Sequence, residues 1–204
     1  MKFLFIVQGE GRGHFTQAIT LEDMLLRNGH EVVEVLVGKS SSRTLPGFFN
    51  RSIQAPVKRF TSPNFLPTTE NKRANLKKSF VYNLIRTPEY FRSMCYIDQR
   101  IKETGAEVVI NFYELLTGLT YALFRPSVPY VCVGHQYLFL HKNFEFPRKS
   151  MIQLSILRFF TRLTSLRANR RLALSFHKMN PDRAEGITVV PPLLRREVTA
   201  IQPE

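Results

Sequence analysis

Apolar and polar positions alternate along this chain in two rhythms. Phe3 to Val7 is an unbroken apolar run of five, ended by polar Gln8. It has the length of a strand buried on both faces. Three glycines follow at alternate positions, Gly9, Gly11 and Gly13, and then His14. From there the rhythm becomes helical: Phe15, Ala18, Leu21 and Leu25 are spaced three, three and four apart and fall on one face. Asn28-Gly29 predicts the stop of that helix. The chain therefore opens as strand, glycine turn, helix. Such a turn aims backbone N–H groups and the positive end of the helix at whatever lies above it.

The alternation continues. Val32–Val37 is β-branched and apolar and predicts a second strand, and 38–50, rich in Ser, Arg and Gly, predicts a loop. Ile53–Phe60 predicts a third, less buried strand. Lys72–Arg86 and Pro88–Glu103 read as helices, the second with proline in its first turn. Glu107–Phe112 reads as strand, Leu115–Phe124 as a short helix, and Val128–Gly134 as another strand. Pro147–Arg167 predicts a long helix, with strands at Arg171–Phe176 and Ile187–Val190. Strands that alternate with helices predict an α/β fold: a parallel sheet of six or seven strands with helices on both faces. Ligands bind such sheets at the carboxyl ends of the strands, near the point where the strand order reverses. That directs attention to Gly9–His14, 38–42, Asn111–Glu114 and Gly134–Gln136.

The 204 residues, 44% of them hydrophobic, suffice for one large core and exclude a disordered chain. The two cysteines, Cys95 and Cys132, form no motif and predict a reducing, cytoplasmic setting. No run approaches the roughly 18 apolar residues of a spanning helix. Net charge is +13, and the excess is clustered. Lys72, Arg73, Lys77, Lys78 and Arg86 fall in one stretch without an acid; Arg148, Lys149, Arg158, Arg162, Arg167, Arg170 and Arg171 fall in another. Two readings stand: a polyanionic neighbour such as an anionic membrane surface, or a solvated basic face balanced by a partner domain. The second run also carries Ile152, Ile156, Phe159, Phe160, Leu163 and Leu166, and this apolar face is expected to pack in the core. No nucleic-acid recognition motif accompanies the charge, so nucleic acid is not an expected partner.

The glycine loop admits several chemistries. A dinucleotide site needs G-x-G-x-x-G and an acid at the end of the second strand. Here the glycines are spaced as G-x-G-x-G, and Glu34 lies inside the strand rather than at its end. An NADP-dependent oxidoreductase would have to use Lys39 or Arg43. A P-loop fails, because the required earlier glycine is Val33. Cys132, His135 and His141 match no zinc spacing, so no metal is expected.

The ordered set of motifs resembles the amino-terminal domain of GT-B glycosyltransferases, such as the UDP-glycosyltransferases and the lipid-linked N-acetylglucosaminyltransferase of peptidoglycan synthesis. The Gly-His turn with Ala18 in its helix is similar to their usual start. Ala106–Glu114 looks like their "Pro-Asp-Val-Val-Ile-x-Asp" strand and following loop, and Val128–Gln136 like their "Ile-Pro" strand with its polar tip. Val189–Arg195 looks like the hinge into their second domain. The resemblance implies a Rossmann-like domain over 1–194, the start of a hinge at 195–204, and a carboxyl-terminal donor-binding domain not contained in this chain. It also implies transfer from a nucleotide-sugar donor to a hydroxyl acceptor without a cofactor, and a fragment inactive alone. A lipid-linked acceptor would put the protein on the inner face of a membrane. A non-catalytic sugar- or phosphate-binding module is the remaining alternative.

Inverting transfer needs a base to take the acceptor's proton, and His14 suits the task, kept neutral by the helix N-terminus. Its plainer role would be packing. Glu114 fits either as an orienter of His14 or binder of acceptor hydroxyls, or as a helix N-terminal acid. Gly9, Gly11, Arg12, Gly13, Asn111, His135 and Gln136 complete the expected binding set. Asn111 departs from the family pattern, which often has Asp there. Glu10 is expected to be exposed.

Overall fold

A computed structural model describes residues 1–39, 44–63, 85–146 and 151–195. The helix expected over Lys72–Arg86 lies almost wholly outside these residues, as do Arg43, Arg148, Lys149 and the hinge beyond Arg195.

Seven strands form one sheet in the order β3-β2-β1-β4-β5-β6-β7, and every neighbouring pair is parallel. They are β1 Lys2–Gln8, β2 Glu31–Lys39, β3 Val57–Thr61, β4 Val108–Phe112, β5 Tyr130–Val133, β6 Arg170–Leu174 and β7 Ile187–Val190. The helices are α1 Arg12–Arg27, α2 Gly47–Ser52, α3 Thr87–Glu103, α4 Leu115–Phe124 and α5 Met151–Leu163, with a 3-10 turn at His135–Leu140. Side chains alternate across β1, so its continuous apolar run feeds two cores. Leu4 and Ile6 pack with residues of α3, α4 and the 3-10 turn; Phe3, Phe5 and Val7 pack with α1 and α2.

Helix α1 ends as its sequence predicts. Gly29 adopts φ +74, its N–H bonds to the Leu26 carbonyl, and the His30 N–H bonds to that of Leu25. This is the double closure that favours glycine after a helix.

The stretch between β2 and β3 differs from expectation. A short helix, α2, forms in the expected loop because Phe49 is fully buried against Phe15, with ring centroids 4.6 Å apart. Strand β3 begins at Val57, later than expected. The N–H groups of Gln54 and Ala55 instead bond to the buried Glu22 carboxylate of α1, at 2.9 and 2.8 Å. That carboxylate supplies the acceptors a strand partner would have given. Helix α5 also departs from expectation: Phe160 packs against the core, but Ile156 and Phe159 are exposed.

Candidate active site

The strand order reverses between β1 and β4, which the register holds side by side: Ile6 lies opposite Asn111 and Val7 opposite Phe112. On the other side Gln8 lies opposite Gly38 of β2. The loops after β1, β2 and β4 therefore leave the sheet at one edge. This is where ligands enter such sheets.

Gly9 is needed for the close approach of two strand ends. Its N–H bonds to the Gly38 carbonyl at 2.7 Å, and a Cβ on Gly9 would lie 2.7 Å from that same oxygen. Gly11 and Gly13 face no such crowding: a Cβ at Gly13 meets nothing, and one at Gly11 meets only His14 Cδ2 at 3.9 Å. Gly11 is the N-cap of α1 in an extended conformation, without a side-chain cap, and no acid occupies the first turn. Gly11 thus offers no side chain to cap the opening turn of α1, and Arg12 and Gly13 are exposed there.

His14 turns inward from this helix and is only 5% exposed. Its ring lies almost parallel to that of Tyr113, at 15° with centroids 5.9 Å apart. Its Nε2 meets the Gln136 Nε2 at 3.3 Å, and Nδ1 is buried without a hydrogen-bond partner. Burial, chiefly, lowers its pKa to about 4; His135 nearby adds to this, and Gln17 one turn further on partly offsets it. The imidazole is therefore neutral at physiological pH, a lone pair in a dry setting.

Glu114 is fully buried and caps α4. Its Oε1 accepts from Ser62 Oγ at 2.6 Å and from the Leu116 N–H at 3.1 Å. Its Oε2 has no partner and presses on Gly38, where a Cβ would come within 2.3 Å. Burial outweighs these bonds, helped by the charge of Glu10, and lifts its pKa to about 7. No hydrogen bond joins Glu114 to His14 among the described residues. Glu10, expected to be exposed, is half-buried close to Glu114.

Asn111 is fully buried, and its amide serves the fold. Oδ1 accepts from the Glu114 N–H at 2.9 Å, while Nδ2 donates to the carbonyls of Glu114 at 3.2 Å and Thr164 at 2.8 Å. An aspartate has no proton to give those two carbonyls, which accounts for asparagine here. At the next strand tip the 3-10 turn sends Gln136 to His14 and leaves His135 exposed. A Cβ on Gly134 would meet Gln136 Oε1 at 2.9 Å, so that glycine makes room for the amide.

Tyr113 lay inside the expected Asn111–Glu114 loop without a role of its own, and Ser62 and Gln17 carried no signal in the sequence. Tyr113 holds φ +62, a left-handed backbone that costs a non-glycine residue roughly 1–2 kcal/mol. Strain of this kind gathers at functional sites. So do unpaired buried polar atoms: His14 Nδ1, Gln17 Oε1, Gln136 Oε1 and Glu114 Oε2 all belong to this edge. Glu34, by contrast, is buried mid-strand in ion pairs with Arg100 and Lys58, both at 2.8 Å. It holds α3 and β3 to the sheet and does not stand where a dinucleotide ribose would need it.

Comparison with known proteins agrees with this geometry. The family description "Glycosyl transferase family 1" matches residues 1–204. No curated protein matches by sequence. Among solved structures, the chain is similar to UGT2 of Phytolacca americana, complexed with UDP-2fluoro-glucose and pterostilbene. The TM-score is 0.58 at 12% identity, over 96% of this chain and 55% of that one. It is also similar to TcCGT1 in complex with UDP, with TM-score 0.56 at 12% identity over 100% and 52% of the two chains. UGT89C1 of Arabidopsis thaliana, complexed with UDP-L-rhamnose, gives 0.53 at 12% identity over 96% and 52%. The chain thus spans about half the length of the structures it matches.

Proposed function

The chain belongs to glycosyl transferase family 1, and from that premise we propose that residues 1–194 form the amino-terminal, acceptor-side domain of a GT-B glycosyltransferase. The sequence from 195 onward leads into a donor-binding half. The reaction moves a sugar from a nucleotide-sugar donor to a hydroxyl acceptor with inversion, and needs no cofactor.

The observation that carries this reading is His14: a neutral, buried imidazole in the first turn of α1, at the strand-order reversal. A base there takes the acceptor hydroxyl's proton as its oxygen attacks the anomeric carbon, and the nucleotide diphosphate leaves from the opposite face. Nε2 is the atom to receive the proton; an acceptor hydroxyl would displace or share the Gln136 amide now beside it. The diphosphate's negative charge favours the imidazolium that forms, offsetting the burial that disfavours it. Gly11, Arg12 and Gly13 lie beside the donors of the helix N-terminus, which suit a phosphate. His135 and Gln136 offer polar groups to the acceptor, Glu114 carries a buried acid beneath the loop, and Gly9 and Asn111 set the loop shapes.

The test is the stereochemistry of the product. The full-length protein, given nucleotide sugars and hydroxyl acceptors, is expected to release nucleotide diphosphate and form a product whose anomeric configuration by NMR is inverted. Retention of configuration would remove the single-displacement role of His14. Consumption of NADPH without sugar transfer would replace the whole reading with an oxidoreductase.

The localisation we propose is peripheral, on the anionic inner face of a membrane. No described helix is long and apolar enough to cross a bilayer. Helix α4 packs against both α3 and α5, so the three share one face of the sheet. Outward from them stand Phe91, Leu123, Ile156 and Phe159, with exposed Arg92 and Arg125 among them; Arg158, also exposed, donates to the Phe139 carbonyl at 3.1 Å, and Arg162 is already paired with Glu185 at 2.8 Å. Arg171 of the second basic run is turned inward to Ser165 and the Glu185 carbonyl and does not contribute. Each Lys or Arg near an anionic bilayer adds about 1 kcal/mol, within a Debye length. Sedimentation with anionic vesicles, and release at high salt, is the expected result. Equal binding to neutral vesicles, or no binding at low salt, would remove the proposal.

A further inference from the structure

Tyr113 stands against His14 in a way that packing alone does not require. The two rings are nearly parallel, whereas Tyr113 meets Tyr137 at 71° and Phe160 at 57°. The phenol is therefore boxed by aromatic rings on its other sides and presents one flat face to the imidazole. Its far end is pinned as well. Tyr113 Oη lies 2.9 Å from the Oγ1 of buried Thr161. That hydroxyl already gives its proton to the Leu157 carbonyl at 2.9 Å. The phenol must then be the donor, and α5 fixes the tyrosine's reach. Its backbone pays for this placement: φ +62 at the end of β4 suits Gly or Asn.

We propose that Tyr113 is the positioning residue of the His14 base, setting the plane of the imidazole by its stacked face while Gln136 restrains the ring at Nε2. This rests on the reading of His14 as the base. The ring across its face and the amide at its edge hold Nε2 in one orientation before the acceptor arrives; when the acceptor hydroxyl takes the amide's place, the stacked ring keeps the imidazole's plane. Among the described residues no carboxylate hydrogen-bonds to His14; the holding falls to the Tyr113 ring and to two amides, Gln136 at Nε2 and Gln17 one turn along α1. The phenol's pKa is raised by burial, so it stays protonated and is not itself a base. Burial is the chief cause of the low His14 pKa, and Tyr113, itself buried, is one of the side chains packed beside that imidazole.

The experiment uses the full-length protein with histidine rings labelled for NMR, the His14 resonance being assigned by its loss in His14→Gln. Tyr113→Leu removes the aromatic face. Tyr113→Asn removes it too, but tolerates the left-handed backbone, so it secures a folded variant. In both, the His14 titration is expected to move up from about 4 toward its ordinary value of 6.5. Turnover is expected to fall about ten- to a hundredfold, the scale of a small misplacement of a catalytic group, with KM little changed. Tyr113→Phe, which keeps the face and loses only the Thr161 bond, is expected to restore the titration and most of the turnover. If either readout stays at the wild-type value in Leu and Asn, the positioning role is overturned. Loss of turnover without a shifted titration marks a structural residue; a shifted titration with full turnover marks mere cover. If instead His14→Ala retains turnover, the base reading fails, whatever the Tyr113 variants show.

Discussion

In the full-length protein, His14→Ala lowers kcat by about 10²–10⁴-fold and leaves KM close to wild type, the signature of a lost general base. On the reading of His14 as base, the effect falls on kcat because the proton moves only as the acceptor attacks. Glu114 cannot readily take over. Its carboxyl is fully buried, bonded to Ser62 and its own helix, and its remaining oxygen faces Gly38. The replacement also opens space beside Tyr113, so the folded fraction of the variant has to be measured alongside its rate. Steady-state kinetics over a range of acceptor concentrations check the split. A kcat near wild type would remove His14 as base.

What the sequence could show of this site follows the range of the forces that build it. Leu115–Phe124 is helical over the residues predicted, because its own apolar content and its acid at position 114 suffice. The Asn28-Gly29 stop is equally local. Helix α2 was not legible: its six residues form a helix because Phe49 finds Phe15, more than thirty positions away. The late start of β3 depends likewise on Glu22 of α1. His14 stood out by its glycines, but Tyr113 carries no local mark. It becomes notable only once β1 and β4 lie side by side and its backbone angle is known. Asn111 could be seen as a departure from a family pattern. Its reason, two carbonyls waiting for donors, belongs to Glu114 and to Thr164 far along the chain.

The two ionisable groups of the site pull stability in opposite directions with pH, and separating them is a strong test of the buried geometry. His14, lowered to about 4, excludes a proton that the unfolded chain binds below 6.5. Its contribution is complete above 6.5 and is lost as pH falls toward 4. Glu114, raised to about 7, keeps a proton that the unfolded chain releases above 4.5. Its contribution is complete below 4.5 and is lost as pH rises toward 7. Between 4.5 and 6.5 the two slopes nearly cancel in the native protein. Glu114→Gln keeps acceptors for Ser62 and Leu116 but cannot titrate, so His14 acts alone. Stability of this domain is then expected to gain about 2–3 kcal/mol relative to wild type as pH rises across that window, at about 1.4 kcal/mol per unit. His14→Gln leaves Glu114 alone and is expected to lose a similar amount over the same range. Glu22, raised by burial, and His135, lowered by it, are common to all three proteins and drop out of the comparison. Denaturant unfolding at a series of pH values, followed at a reporter within this domain, gives the slopes. Two variants with the wild-type pH profile would mean that neither group is as dry as the fold makes it. Opposite slopes would place a neutral base and a protonated acid at one sheet edge at the same pH, the condition under which His14 can accept a proton while Glu114 holds its loop without a charge.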